Sequence, residues 1–92
     1  MLRLKPNRVV KPIVLVLKVL AESERAREID IIRRLPGYST ATIHDNLVKA
    51  VMQGLARVEN GYYIITEEGK AFLKHAVEEM KRIVESIDSK IK

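Results

Sequence analysis

At 92 residues the chain is expected to form one small domain around a single hydrophobic core. Hydrophobic residues make up 47% of it and aromatic residues only 4%, so Ile, Val and Leu must build that core. The absence of cysteine excludes a disulfide framework, thiolate catalysis and cysteine-ligated zinc. The formal net charge of +5 favours an anionic partner, either a phosphate backbone or an anionic membrane surface.

The charge is unevenly distributed along the chain. Residues 1–21 carry five basic and no acidic residues, whereas residues 66–92 carry six of each. The apolar run Ile13–Leu17 is interrupted by Lys18 and is far shorter than the roughly 20 residues that cross a bilayer. We therefore expect a cytoplasmic protein without a membrane partner. Scarce Asn and Gln beside many Lys, Arg and Glu are typical of heat-adapted proteins.

Two helices are predicted in the first part of the chain. Pro12 suits the first position of a helix, and residues 13–20 are apolar on nearly every side, which indicates a buried helix. A strand is the alternative, because Val and Ile favour strands. A short polar segment at Arg25–Arg27 precedes a second helix, Glu28–Leu35, which Pro36-Gly37 ends. Apolar residues of this helix repeat at Ile29, Ile32 and Leu35, with Ile31 beside them.

A third helix and a hairpin follow. Ser39 is a natural N-cap for a helix over residues 40–53, and Gly54 is expected to end it in the left-handed conformation, with Leu55 packing back. The apolar face of this helix consists of Ile43, Leu47, Ala50 and Val51. Two helices joined by a short turn form a helix-turn-helix. Asn60-Gly61 between two β-prone runs predicts a hairpin with a type I′ turn.

The last helix is predicted to begin after Thr66, with acidic Glu67 and Glu68 in its first turn. Apolar residues then recur in steps of four and three, at Leu73, Val77, Met80, Val84, Ile87 and Ile91. This period is typical of a coiled coil. Leaving all six exposed would forfeit on the order of 10 kcal/mol. We therefore expect a homodimer formed through this helix, with the first helix contributing.

Three segments also carry a resemblance to a known family: Ser39–Ile43, Gly54-Leu55 and Ile65–Lys70. In this order they resemble the MarR/PadR-like winged helix-turn-helix proteins of archaea and their viruses. They are also similar to small archaeal chromatin-associated winged-helix proteins that dimerise through a C-terminal coiled coil. The resemblance covers about residues 12–92.

The resemblance implies a mainly α fold with a small β-hairpin, a winged helix-turn-helix followed by a long coiled-coil dimerisation helix. The expected divisions are a basic N-terminal arm at 1–11, the winged domain at 12–66 and the dimerisation helix at 67–92. The family binds double-stranded DNA, with the third helix in the major groove and the wing on an adjacent groove or on phosphates. This chain departs from the family at the wing, where Arg57 is the sole basic residue of the hairpin.

Candidate DNA contacts follow from the helical period. With the apolar face inward, the residues that point outward on the third helix are Thr42, Asp45, Asn46, Lys49 and Gln53. Amide and lysine side chains suit base edges, although an ordinary solvated face is the alternative. Ser39 and Thr40 suit a phosphate at the helix N-terminus. Further candidates are Arg33 and Arg34, whose alternative role is capping of the helix dipole, with Arg57 and Asn60 in the wing. The arm from Arg3 to Lys11 either follows DNA or solubilises the terminus.

No catalytic, metal or cofactor site is expected. His44 is predicted to be a structural residue near the edge of the apolar face, and His75 with Glu78 and Glu79 supplies at most half of a metal site. Tyr62 and Tyr63 should alternate between core and surface.

The sequence thus favours a homodimeric DNA-binding transcriptional regulator without enzymatic activity. One alternative is a chromatin protein that binds any duplex. Another is a winged helix used for protein interaction, in which case the outward face of the third helix would be neutral in charge.

Overall fold

The computed structural model describes the backbone of residues 11–91 and the side chains of residues 11–82. The basic arm, apart from Lys11, and the seam residues Val84, Ile87 and Ile91 lie outside the described side chains. In chain order the elements are helix α1 (Pro12–Ser23), helix α2 (Glu28–Arg34), helix α3 (Thr40–Met52), strand β1 (Ala56–Glu59), strand β2 (Tyr62–Ile65) and helix α4 (Glu67–Ile91). The mainly helical fold with a β-hairpin is confirmed.

Helix α1 is the centre of the domain. Because its sequence is apolar on nearly every side, it can be buried on several faces at once. It packs against α2, α3, α4 and β2, and the side chains of Val16, Leu17 and Leu20 are fully buried. Pro12 occupies the first turn, where the missing N–H leaves no bond unmade. The segment is a helix, and the strand considered as its alternative does not form.

Helix α2 is short, and its burial differs from the prediction. Ile31 is fully buried, Ile32 and Leu35 are packed against the core from its edge, and Ile29 is 47% exposed. The prediction that Ile29 belongs to the apolar face is therefore wrong. A helix of seven residues turns fewer than two full times, so a small rotation about its axis decides which of two neighbouring apolar residues is buried.

Helix α3 begins and ends as its sequence predicts. The hydroxyl of Ser39 accepts a hydrogen bond from the Thr42 backbone N–H at 3.1 Å. At the other end Gly54 has φ +75°, and the Leu55 N–H donates to the carbonyl of Ala50 at 2.8 Å. This left-handed termination satisfies carbonyls that the helix itself cannot pair, and it directs the chain into β1.

The sheet contains the predicted hairpin and one further pairing. In the hairpin Ala56 lies opposite Ile65, and the turn residues Asn60 and Gly61 have φ values of +50° and +81°, as a type I′ turn requires. In addition, the Ala26 and Tyr63 backbones exchange N–H to carbonyl hydrogen bonds of 3.0 and 2.8 Å. Strand β2 is therefore flanked by β1 on one side and by Ala26 on the other.

Helix α4 is fastened to the end of α3 at its first turn. The Thr66 backbone N–H donates to the carbonyl of Leu55 at 3.1 Å, and its hydroxyl donates to the carbonyl of Gly54 at 2.6 Å. The same hydroxyl accepts from the Gly69 N–H at 3.0 Å, which caps the helix. These bonds join Gly54-Leu55 to the start of α4 in the folded chain.

Candidate nucleic-acid interface

Helix α3 is positioned by α1 and α2, so that one side of it is exposed. Ile43, Leu47 and Ala50 are buried and fix the rotation of the helix about its axis. The opposite side carries Ala41, Asp45, Val48 and Met52, which follow one another at helical spacing, and all four are exposed. The helix thus presents one continuous outward face, as a helix that enters a DNA groove must.

The chemistry of this outward face is mixed. Val48 is 40% exposed and Met52 is 81% exposed, so two of its central side chains are apolar. The carboxylate of Asp45 is opposed by the exposed ammonium of Lys49, so the acidic and basic side chains of the face balance. Sequence reasoning chose only the polar residues of this face and left out Val48 and Met52, although the same 100° step identifies them.

Of the predicted base contacts on α3, Asp45, Lys49 and Gln53 are exposed. Thr42 and Asn46 are half-buried, and both side chains are engaged within the helix. The hydroxyl of Ser39 donates to Thr42 Oγ1 at 2.8 Å, and Asn46 Nδ2 donates to the Thr42 carbonyl at 2.7 Å. Their role as base contacts stays a prediction, and each would have to give up its bond within the helix to reach a base edge.

The two arginines that end α2 have different surroundings. Arg34 Nη2 lies 2.9 Å from Glu22 Oε1, and its Nη1 donates to the Ser23 hydroxyl at 3.2 Å. Arg34 therefore links the end of α2 to the end of α1. This contact is an alternative to the two roles predicted for it, phosphate binding and capping of the helix dipole. Arg33 is exposed and forms no ion pair with any side chain of residues 11–82.

His44 connects the two helices of the helix-turn-helix. It is exposed at the border of the outward face, and its Nδ1 lies 2.9 Å from Glu28 Oε1 on α2. The hydrogen bond and the negative charge of Glu28 raise the pKa of His44, and Asp45 adds to this effect. The predicted structural role agrees with this contact, although the side chain is not on the apolar face.

At the N-terminus of α3 and in the wing, the predicted phosphate contacts are exposed. Ser39 and Thr40 lie at the first turn of the helix, where backbone N–H groups favour an anion. In the wing, Arg57 and Asn60 are exposed, and Arg57 Nε lies 3.4 Å from Glu59 Oε1.

A further group of residues was missed by the sequence reasoning. The guanidinium carbon of Arg25 lies 4.7 Å from the centre of the Tyr62 ring, and that of Arg27 lies 5.6 Å from it. In the structure Arg25, Ala26 and Arg27 are exposed, buried and exposed, which is the alternation of a strand, but one alanine between two arginines gives no apolar run that marks it in the sequence. Tyr63, on the opposite face of the sheet, packs against the core. Burial, together with the nearby Glu28, raises the pKa of Tyr63.

Helix α4 extends over 25 residues beyond the hairpin. Leu73, Val77 and Met80, the three seam residues whose side chains are described, are half-buried, and Phe72 beside them is 37% exposed. Leu73 packs against the core, so this end of the seam is partly used within the chain itself.

Neither a membrane span nor a metal site is found in the described part of the chain. No helix there combines the length and apolar character that crossing a bilayer requires. No group of three or more His, Asp or Glu side chains there is arranged to hold a metal ion.

The sequence matches no family model and none of the curated proteins with which it was compared. Solved structures are similar at low identity. Bordetella bronchiseptica BpsR, whose DNA binding is regulated by 6-hydroxynicotinic acid, superimposes with a TM-score of 0.72 at 17% identity over 88% of this chain and 62% of that one. The activation domain of the phage T4 transcription factor MotA gives 0.68 at 17% identity over 90% of this chain and 85% of that one.

A MarR family protein from Bacillus stearothermophilus gives a TM-score of 0.66 at 17% identity, over 85% of this chain and 58% of that one. The chain therefore spans less than two thirds of the length of BpsR and of this protein. At this level of identity the similarities show the fold alone, a winged helix.

Proposed function

We propose that the protein is a homodimeric transcriptional regulator that binds duplex DNA through α3 and the wing, without catalysis. The observation that carries the proposal is the exposed outward face of α3, held in a fold shared with DNA-binding regulators. A helix in this position fits the major groove, and a two-stranded wing beside it reaches the flanking backbone.

The contacts divide into two kinds. Lys49 and Gln53 supply side chains that reach base edges, with Asp45 able to accept from a cytosine amino group. Ser39, Thr40, Arg33, Arg57 and Asn60 supply phosphate contacts that fix the position of the helix on the duplex. Arg34 is not among the proposed DNA contacts, because its guanidinium pairs with Glu22.

Dimerisation is proposed to run through α4, with α1 contributing. The seam of apolar residues continues through Val84, Ile87 and Ile91, and two-fold dimers place two α3 helices on successive half-sites. Sedimentation equilibrium of the full chain is expected to give twice the chain mass. Ile87→Lys should lower the mass towards that of the monomer, whereas Ser86→Lys, beside the seam, should not. A monomeric parent at micromolar concentration contradicts this part of the proposal.

Duplex binding is tested by fluorescence anisotropy over a range of salt concentrations. Affinity should fall steeply as salt rises, because each neutralised phosphate releases condensed counterions. Lys49→Ala should weaken binding and leave the dimer intact. Lys74→Ala is the matched control, since it removes the same charge from an exposed site on α4. Equal affinities of the two variants would show that α3 does not contact DNA.

Sequence specificity separates a regulator from a chromatin protein that binds any duplex. Preferred duplexes are selected from a random pool. Competition with random duplex then measures the ratio of specific to nonspecific affinity directly. A regulator is expected to prefer its site roughly a thousandfold or more, whereas an architectural protein shows a ratio near one.

One observation favours a second candidate function, a winged helix that binds another protein. The centre of the α3 face is neutral in net charge and contains the exposed apolar residues Val48 and Met52. The MotA activation domain shares this fold over most of its length. Absence of duplex binding at low salt, where electrostatic attraction is strongest, would favour this candidate over the first.

A further inference from the structure

The outer surface of the sheet carries three arginines, of which Arg57 is already proposed as a phosphate contact of the wing and Arg25 and Arg27 are not. We call this surface the arginine face. It consists of Arg25, Arg27, Arg57, Glu59, Tyr62 and Ile64.

The pairing of the strands places these residues on one side. Ala56 lies opposite Ile65, and Ala26 lies opposite Tyr63, with all four packed towards the core. Successive side chains of a strand point to opposite faces, so the neighbours of these residues point outward. Arg57 on β1 lies opposite Ile64, so its side chain is on the same face of the sheet as those of Arg25 and Arg27.

The Tyr62 ring orders two of the guanidinium groups. Arg25 and Arg27 lie 4.7 and 5.6 Å from its centre, within the range of a cation–π contact. A guanidinium that stacks through its flat face keeps its N–H groups directed outward along its edges, the geometry that binds phosphate through two parallel hydrogen bonds. Fixing these side chains in advance lowers the entropy lost on binding.

The carboxylates near this face do not neutralise it. Arg27 Nε lies 3.9 Å from Asp30 Oδ2, and Arg57 Nε lies 3.4 Å from Glu59 Oε1. Both pairs are exposed, and exposed pairs contribute little to stability, so a phosphate can replace the carboxylate. Arg25 forms no ion pair with any side chain described between residues 11 and 82.

The charge of this face contrasts with that of α3. Three arginines stand against the two carboxylates of Glu59 and Asp30, whereas Lys49 on α3 is balanced by Asp45. Affinity for duplex DNA depends mainly on cations that neutralise phosphates. We infer that Arg25 and Arg27, ordered on the Tyr62 ring, join Arg57 of the wing in one binding site for the phosphodiester backbone of duplex DNA, separate from the face of α3. The inference rests on the proposed function in taking DNA as the ligand.

The test compares two double variants that remove equal charge. The first is Arg25→Gln/Arg27→Gln, which leaves Arg57 in place, and the control is Lys74→Gln/Lys81→Gln, which changes exposed residues elsewhere. Binding to a duplex is measured by anisotropy at several salt concentrations, and folding of each variant is checked by circular dichroism. The arginine variant is expected to make the slope of log K against log salt shallower by about 2 for each bound protomer, and so by about 4 for the proposed homodimer, since each phosphate contact contributes about 0.9.

A control variant that lowers the slope as much as the arginine variant overturns the inference, because net charge alone would then explain the effect. An arginine variant that binds as the parent does overturns it as well. Should the double variant fail to fold, Arg25→Gln alone is expected to make the slope shallower by about 0.9 for each bound protomer. Loss of binding in Lys49→Ala but not in the arginine variant refutes this inference alone. The reverse pattern refutes the α3 contact and leaves this site standing.

Discussion

Replacement of Gly69 by alanine tests how closely α4 approaches the end of α3. Gly69 is buried in the first turn of α4, a position where alanine ordinarily stabilises a helix by about 0.5–1 kcal/mol relative to glycine. Here an added Cβ would overlap the carbonyl oxygen of Leu55 and come within 2.7 Å of Ile65 Cγ1. We therefore expect the sign of the effect to be reversed.

The magnitude follows from what must move. The Leu55 carbonyl is backbone and accepts the Thr66 N–H at 3.1 Å, so it cannot rotate away as a side chain could. Displacing α4 would stretch this bond and the 2.6 Å bond from the Thr66 hydroxyl to the carbonyl of Gly54. Overpacking costs about 1–3 kcal/mol, and weakening these two bonds adds about 1–2 kcal/mol. The expected loss is about 2–5 kcal/mol in the free energy of unfolding.

Urea unfolding followed by circular dichroism at constant protein concentration measures this loss, since a dimer's stability depends on concentration. Gly37→Ala is the matched control. A Cβ at Gly37 meets no atom within 4 Å, and Gly37 is not among the glycines with positive φ, so stability should change by less than about 1 kcal/mol. A Gly69→Ala protein that is more stable than the parent would refute the close approach of α4 to Leu55.

Two further predictions concern contacts between helices, and a third concerns the core. Because the folded state raises the pKa of His44, its pairing with Glu28 stabilises the fold below the unfolded pKa near 6.5 and is lost as pH rises through the folded value. The urea midpoint of the parent should thus fall relative to His44→Gln between pH 6 and pH 8, and a constant difference would contradict the pairing. Arg34→Ala should lower the free energy of unfolding by up to about 1 kcal/mol, and by less in high salt, because the ion pair with Glu22 is lost. An unchanged free energy at low salt would contradict this contact. Leu17→Ala should cost about 2–5 kcal/mol, and a much smaller loss by urea titration would show that α1 is not central.

The sequence predicted those elements whose boundaries are marked by residue chemistry. Ser39, Gly54 and Asn60-Gly61 each have a conformational preference strong enough to place an end or a turn within a residue of its observed position. The sequence also predicted which side of α3 is buried, because the 13 residues of this helix repeat the apolar pattern over several turns.

The features that the sequence did not predict depend either on distant contacts or on competing bonds within a helix. The pairing of Ala26 with Tyr63 depends on a segment far along the chain, and a single small residue between two arginines gives no apolar run to reveal it. The partial burial of Asn46 reflects a bond to its own helix that competes with an outward orientation. The arginine face was missed for the first of these reasons.

The bridge between Ala26 and Tyr63 also determines how the chain is closed. Because these two residues exchange hydrogen bonds, α2, α3 and β1 lie within a loop whose ends are joined at its base. The entropy cost of closing such a loop rises only with the logarithm of its length. Gly37 lies within this loop, is exposed, and would bring an added Cβ within 4 Å of no atom, so residues inserted there should cost little closure entropy. The joined base makes this position the natural place for lengthening the helix-turn-helix.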